Sequence, residues 1–398
     1  ISVEDYNRKC REVVMRYKDL WDDITRKMGY WVDLEHPYVT FENDYIETLW
    51  WCLKELYKKG YLYESVSIQP YSPAAGTGLS SHELNQPGTY KDVKDTSATV
   101  LFRLINTEKL KIENEVGDVF LMAWTTTPWT LPSNLGLTVG PNIDYILVQT
   151  FNPYTHHPIN VILAKALLGK YFKSENENGD FDAYQKDGKN IPYKIIATVK
   201  GKDLEGFLYE QLLPFEANTT EQINSITPNA QPFRVVLGDF VTTEDGTGIV
   251  HTAPAFGADD YKVGQKNNLG ILTLVDRTGK FLEGVKDGIF LYGNEFVKED
   301  YLKEDEKQAA FQKQKEILEA NGKVKDLKKY ISVDDRIVLK LQEEGKLFKK
   351  EKYEHTYPHC WRTDKPILYY PLDAWFIKTT AAKERMVELN NTINWKPA

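Results

Sequence analysis

Two segments of the chain carry residue types in patterns that could do chemistry. The first is AWTTTPWTLPSNLGL, residues 123–137, which sets Thr125, Thr126, Thr127 and Thr130, then Asn134, directly after an apolar run of strand character. Pro128 and Pro132 stiffen the exit and remove backbone donors. Neutral hydroxyls and one amide cannot act as a strong base, but they can line a polar pocket and orient a ligand or a water. Equally, the threonines could satisfy their own backbone in a turn. The second segment is DGTGIVHTAPAFGADDY, residues 245–261. Asp245-Gly246 signals a tight turn, Ile249-Val250 reads as a short strand leading to His251, and Pro254 and Gly257 shape a loop that ends in Asp259-Asp260. A carboxylate pair beside a histidine could bind a cation, catalyse by acid–base transfer, or hold an amino group. Alternatively, one aspartate caps a helix that begins at about Tyr261 while the other faces a pocket.

Other chemistry is poorly supported. Neither G-x-x-x-x-G-K-[ST] nor G-x-S-x-G occurs, and GTGLS at 76–80 does not fit a dinucleotide fingerprint. His355, His359 and Cys360 hint at zinc, but Thr363 stands where a second cysteine of a C-x-x-C pair would be needed, so no metal site is expected there. His156 and His157 lie in an Asn- and Pro-rich loop and are read as facing solvent.

The elements that would position these segments can be sketched from periodicity. Tyr6, Cys10, Val13, Val14, Tyr17, Trp21, Ile24 and Met28 recur at helical spacing, with Ser2 and Asp5 able to cap the start and Gly29 the end. A second helix is expected from Asn43 to Lys59, stopped by Gly60, with Trp50 and Trp51 as packing residues. Residues 69–88 are rich in Pro, Gly and Ser and read as a loop and a domain boundary. Short β-rich runs follow at 96–104, 118–126, 144–150, 193–199, 233–240 and 270–276, a spacing that suggests a curled sheet or barrel rather than a βαβ array. Lys298 to Asn321 reads as a charged helix with a solvated face, and Asp334 to Glu344 as a further helix ended by Gly345. The fold class expected is mixed α/β.

Composition bounds the partners. The 398 residues imply two or three domains, and 41% hydrophobic with 27% charged residues is ordinary globular composition. The net charge of −8 disfavours non-specific coating of nucleic acid, though not a local basic groove. No run approaches the ~18 apolar residues of a membrane span. The three cysteines, Cys10, Cys52 and Cys360, are widely separated, which fits a reducing cytoplasm rather than a disulfide framework.

Taken together, WTTTPWTLPSN at 124–134 and GTGIVHTAPAFGADDY at 246–261 resemble the isoleucyl-tRNA synthetase family of class I aminoacyl-tRNA synthetases. GKDLEG at 201–206, YPHCWRTDKP at 357–366, and the opening DYNRKCREVV with GYWVDLEHPYVT are also similar to that family. The valyl and leucyl relatives carry a T-T-R-P type segment where this chain has Thr126-Thr127-Pro128-Trp129, which favours the isoleucyl member. Neither HIGH nor KMSKS occurs, so the resemblance implies an internal piece of a larger synthetase; the start at Ile1 rather than Met is read as that of a fragment or a processed product. The implied layout is a β-barrel-like editing domain at 93–335, inserted into a split Rossmann catalytic domain whose pieces lie at 1–92 and 336–398.

The function implied is hydrolysis of mischarged valyl-tRNA(Ile). One methylene supplies only about 1–3 kcal/mol of discrimination in an apolar pocket, a limit for which isoleucine against valine is the standard illustration. A second site that admits valine and excludes isoleucine can correct the mistake. By resemblance, Asp260 anchors the substrate's α-ammonium, and His251 is a wall that limits side-chain size, with Trp129 or Thr125 next in line. Thr126, Thr127, Thr130 and Asn134 are candidates for orienting water and the developing oxyanion. The partners implied are the acceptor end of tRNA(Ile) and the remainder of the synthetase chain. No cofactor is expected for ester hydrolysis, and ATP and Mg would serve the parent enzyme's separate activation site. A non-catalytic tRNA-binding insert of the same enzyme is the alternative.

Overall fold

The chain is described by a computed structural model, which covers residues 1–110, 117–186 and 190–396. It divides into two compact units, one formed by residues 1–65 with 374–398 and the other by 66–373.

In the first unit, helices span Val3–Met15, Lys18–Lys27, Asn43–Lys58 and Lys383–Asn390. Ser2 caps the first, its hydroxyl accepting the Asp5 N–H at 3.1 Å. The single helix expected from Ser2 to Gly29 is two, broken at Arg16–Tyr17, where Tyr17 leaves helical geometry and restarts the helix as its N-cap. Trp50 and Trp51 are exposed rather than packed, and none of these four helices contains a buried residue. The apolar spacing is present, but among the described residues of this unit nothing covers that face.

Strands, in chain order, are β1 (Leu62–Ser72), β2 (Thr77–Gly78), β3 (Tyr90–Arg103), β4 (Val119–Thr125), β5 (Gly136–Val139), β6 (Asp144–Phe151), β7 (Pro158–Ala164), β8 (Lys194–Lys200), β9 (Arg234–Leu237), β10 (Ile249–Thr252), β11 (Leu347–Pro358) and β12 (Leu368–Ile377). The second unit is built on a curled nine-stranded sheet of mixed direction, ordered β8-β6-β7-β4-β10-β5-β9, with β3 joining β4 to β11. β4 has three strand neighbours, β3, β7 and β10. Along one edge β4 pairs antiparallel with β3 throughout, while its other edge pairs with β7 at Val119–Leu121 and then with β10 at Trp124.

The strands read as near-continuous apolar runs because both faces of the sheet are buried. Val100, Phe102, Leu121, Ala123, Tyr145, Leu147 and Ile162 enter one core. Their alternates Leu101, Met122, Ile146, Val148, Val161 and Leu163 enter a second, with Phe172, Tyr193 and Phe348. The expected strand at 270–276 does not form a ladder. Leu272, Leu274 and Val275 are buried in the core, but the segment makes only an isolated bridge, Val275 to Phe281. The loop expected at 69–88 holds the end of β1, β2 and a short helix, Ser81–Leu84, closed by a Ser80–Glu83 capping box.

Helix Val333–Glu343 is tied to this unit by Arg336, whose side chain is fully buried. Its guanidinium forks onto the Glu295 carboxylate at 2.5 and 3.2 Å, donates to the Phe290 carbonyl at 2.5 Å, and lies over the Tyr292 ring. The helix expected at Lys298–Asn321 starts later, at Glu304, and Lys298 is buried rather than part of a solvated face. His156 likewise is only half-exposed, with Nδ1 at 2.7 Å from the Tyr184 hydroxyl.

Removing one partner of a buried ion pair leaves the other uncompensated, at about 3–5 kcal/mol. Glu295→Ala is therefore expected to lower the unfolding free energy of this unit by about 3–5 kcal/mol. Urea denaturation followed by tryptophan fluorescence measures it.

Candidate active site

β4 and β10 run parallel, with Val250 opposite Trp124, and their C-terminal ends open side by side. β4 delivers the threonines and β10 delivers His251. Gly246 and Gly248 both take positive φ, so the tight turn read at Asp245-Gly246 is formed. A Cβ on Gly248 would approach that of Ala164 to 2.4 Å, so the turn seats β10 against the sheet only with glycine there.

After Thr125 the chain enters a 3-10 turn, Pro128–Ser133, with Thr127 as its N-cap. The Thr125 hydroxyl accepts the Thr127 N–H at 3.0 Å, which is the local backbone satisfaction expected of a threonine turn. The Thr130 N–H reaches the Thr127 carbonyl at 3.0 Å, and the Thr130 hydroxyl reaches the same carbonyl at 2.8 Å. Thr126 and Thr127 are half-buried at the rim, and Thr126 makes no side-chain hydrogen bond to any described residue.

His251 is buried, with 8% of its surface exposed, between two partners. Asn134 Nδ2 lies 2.8 Å from His251 Nδ1, and Thr130 Oγ1 lies 3.0 Å from His251 Nε2. The same Nδ2 lies 2.9 Å from the Gly136 carbonyl, and the Tyr209 hydroxyl donates to Asn134 Oδ1 at 2.7 Å. Carbonyl and hydroxyl thus orient the amide, so the amide donates to Nδ1 and the imidazole carries its proton on Nε2. Nε2–H then donates to Thr130, whose own proton goes to the Thr127 carbonyl. Burial depresses the imidazole to about 4, so His251 is neutral at ordinary pH.

Asp260 lies across the cavity, on the first turn of helix Ala258–Lys266. The helix begins three residues before the expected Tyr261, and its N-cap is Gly257, so neither aspartate is the cap. Asp259 is exposed and paired with Lys262 at 3.0 Å. Asp260 folds back over the helix start, and its Oδ2 accepts the Ala253 N–H at 3.0 Å. A Cβ on Gly257 would meet Asp260 Cγ at 2.9 Å, so glycine leaves room for the carboxylate to lie there. Burial raises the Asp260 carboxyl to about 6, with the Ala253 N–H opposing and Asp259 adding to the rise.

Thr125, Thr126, Thr127, Thr130, His251 and Asp260 line one cavity of about 380 Å³. Trp124, Phe240, Thr242 and Phe256 share that wall, and sequence patterning does not single them out. Asn134 sits behind the wall and reaches the cavity only through His251. Trp129 is buried behind Phe256, with their rings edge to face at 5.0 Å, so Phe256 rather than Trp129 meets the cavity. The arrangement offers a recessed carboxylate for a cation, a free hydroxyl and a neutral polar wall. Among the described residues, no group of three or more His, Cys, Asp and Glu side chains is placed to hold a metal ion. His355 and His359 are turned to Asp95 and to the Tyr357 carbonyl, while Cys360 is buried among Leu79, Leu84 and Ile367. No helix among the described residues is long and apolar enough to cross a membrane.

A family model described as tRNA synthetases class I (I, L, M and V) matches residues 1–398. The chain belongs to the class I tRNA synthetases. It is 57% identical over 408 residues to the isoleucine–tRNA ligase of Cytophaga hutchinsonii, a match covering 100% of this chain and 34% of that protein. The corresponding ligase of Bacteroides fragilis is 50% identical, covering 100% of this chain and 34% of its own. That of Clostridium tetani is 39% identical, covering 100% and 30%. The chain thus spans about a third of the length of the curated relatives it matches. A crystal structure of the P. knowlesi cytosolic leucyl-tRNA synthetase editing domain is 14% identical, with a TM-score of 0.33 over 66% of this chain and 97% of that one.

The imidazole of His251 is expected to stay neutral, protonated on Nε2, across roughly pH 6 to 8, because its charged form appears only near 4. Nitrogen-15 NMR of ring-labelled histidine, compared with His251→Gln to assign the signals, reads both the tautomer and the absence of titration.

Proposed function

We propose that this cavity hydrolyses the ester joining valine to the 3′-terminal ribose of tRNA(Ile), as the editing site of an isoleucine–tRNA ligase. The editing domain would occupy 93–335, with 1–92 and 336–398 belonging to the ligase's split catalytic domain. Activation of isoleucine with ATP and Mg would fall to the remainder of that enzyme, in the cytoplasm. The single observation that supports this most strongly is the pairing, across one small cavity, of a recessed carboxylate with a neutral buried histidine.

The chemistry follows from those two groups. Above about pH 6 Asp260 is ionised, and it holds the α-ammonium of the aminoacyl group by a charge-assisted hydrogen bond. His251, uncharged, presents a ring edge that fills the space a longer side chain would need. The Thr126 hydroxyl has no partner among the described residues and can donate to the ester's developing oxyanion, with Thr127 beside it. Water adds to the carbonyl carbon, the bond to the ribose oxygen breaks, and that oxygen leaves with a proton. The products are valine and uncharged tRNA. Thr130 and Asn134 hold the imidazole and need not touch the ester.

Asp260→Ala should lose about 2–5 kcal/mol of transition-state stabilisation, a fall in deacylation of more than tenfold. Asp259→Ala, which removes only an exposed pair with Lys262, should do much less. His251→Ala enlarges the pocket, so isoleucyl-tRNA(Ile) should become a substrate. Deacylation of both charged tRNAs by each variant, with thermal melts to confirm folding, decides between this reading and a tRNA-binding insert without activity. In the latter case the wild-type chain leaves valyl-tRNA intact.

The acid side of the pH profile should also belong to Asp260. Its carboxyl titrates at about 6, above its ordinary value, so the charged anchor is present above that pH and lost below it. Deacylation kcat/KM is expected to fall about tenfold per pH unit below about 6. A profile flat down to pH 5 would remove Asp260 from the anchoring role.

A further inference from the structure

The threonine turn is capped from a distant part of the chain. Pro128, its first residue, has no N–H, and Thr127, its N-cap, makes no side-chain cap bond. The first free donor of the turn is therefore the Trp129 N–H, which is buried. Its acceptor is Asp334 Oδ1 at 2.7 Å, on helix Val333–Glu343. The other oxygen, Oδ2, faces Lys298 Nζ at 3.8 Å, and that ammonium also meets Asp95 at 3.4 Å and lies over the Tyr357 ring. Both side chains are less than a tenth exposed. Asp334 and Lys298 line a separate cavity of about 360 Å³, and neither lines the one that holds His251.

We propose that Asp334 is a positioning residue for the hydrolytic site, fixing the Trp129 peptide and through it the placement of Thr127 and Thr130 against His251. This rests on the function proposed above. The path is short and made of bonds already described. The Trp129 N–H is held by Asp334, the next residue's N–H and hydroxyl both close on the Thr127 carbonyl, and that hydroxyl receives the His251 proton. If the carboxylate is lost, a buried N–H is left without an acceptor, and the turn must shift or open to water to satisfy it. Lys298 holds the carboxylate in place and supplies the charge balance that allows it to be buried. Because Asp334 lines the other cavity, its effect should fall on the rate of the bound complex and not on binding.

The test uses the 398-residue chain and two substitutions. Asp334→Ala removes the acceptor. Asp334→Asn keeps an amide oxygen that can accept the Trp129 N–H. For valyl-tRNA(Ile) deacylation, Asp334→Ala is expected to lower kcat by about tenfold to a hundredfold, the scale of a small misplacement of reacting groups, with KM changed by less than about threefold. Asp334→Asn should stay within about threefold of wild type in kcat. Amide hydrogen exchange supplies a readout that does not depend on activity: peptides covering 124–134 should exchange faster in Asp334→Ala alone, while β6 and β7 keep their protection. Normal kcat and normal exchange in a folded Asp334→Ala would overturn the proposal. So would equal losses in both variants, which would make the charge rather than the acceptor the operative feature, or loosened exchange throughout the sheet, which would make the role merely structural. If the wild-type chain does not deacylate valyl-tRNA(Ile), the hydrolytic reading fails, and the exchange experiment still decides whether Asp334 holds the turn.

Discussion

The parallel seam between β4 and β10 is the constraint on which the rest of the second unit depends. Only when those two strands end together do the threonines of one and the histidine of the other face a common space. The seam is brief, because β4 has already given half of that edge to β7. It is kept in place by burial on both faces: a slip of one residue would exchange Leu121 and Ala123 with Met122 between two different cores. Site geometry is thus held by packing some distance from the cavity. A 3-10 turn and a helix start supply the remaining groups, Thr127–Ser133 on one side and Asp260 in the first turn of Ala258–Lys266 on the other.

Within the site, two polar groups are displaced in opposite directions by the same cause. Burial lowers the His251 imidazole and raises the Asp260 carboxyl, in each case by disfavouring charge. The outcomes differ because the ordinary values lie on different sides of the working range. The histidine becomes permanently neutral near pH 7, while the carboxylate still ionises and is left eager for a cation. A cavity of one physical character thereby holds a neutral polar wall beside an ionisable carboxylate.

Much of this is legible in the order of the amino acids. Five of the six β-rich runs are strands, because residues such as Val100-Leu101-Phe102 and Tyr145-Ile146-Leu147-Val148 are apolar on both faces and need a two-sided core. Thr125, Thr126, Thr127, Thr130, His251 and Asp260, taken from two separate segments, do meet in one cavity. What spacing does not convey is contact at long range. Leu272 and Val275 carry strand-like residues but find no edge to pair with, so they are only buried. Trp129 and Phe256 are both aromatic neighbours of the motif, and nothing local says which one faces the cavity. Lys298 stands beside a highly charged helix and by pattern belongs to solvent, because its partners, half-buried Asp95 and buried Asp334, lie far away in sequence. Asn134 has the spacing of another pocket residue, and its actual place behind His251 depends on Tyr209, which no motif contains.

The chain of hydrogen bonds from Tyr209 through Asn134 and His251 to Thr130 has a direction, every member passing its proton the same way. Such a file of donors has only one sense compatible with its fixed ends, since the Gly136 and Thr127 carbonyls can only accept. Exchanging a single atom at Asn134, nitrogen for oxygen, would therefore not weaken one link but reverse the polarity of several. The imidazole would move its proton to Nδ1, Nε2 would seek a donor, and the Thr130 hydroxyl would have to leave the Thr127 carbonyl to provide one. Information about which way the site faces is stored in an amide that lies behind the cavity wall.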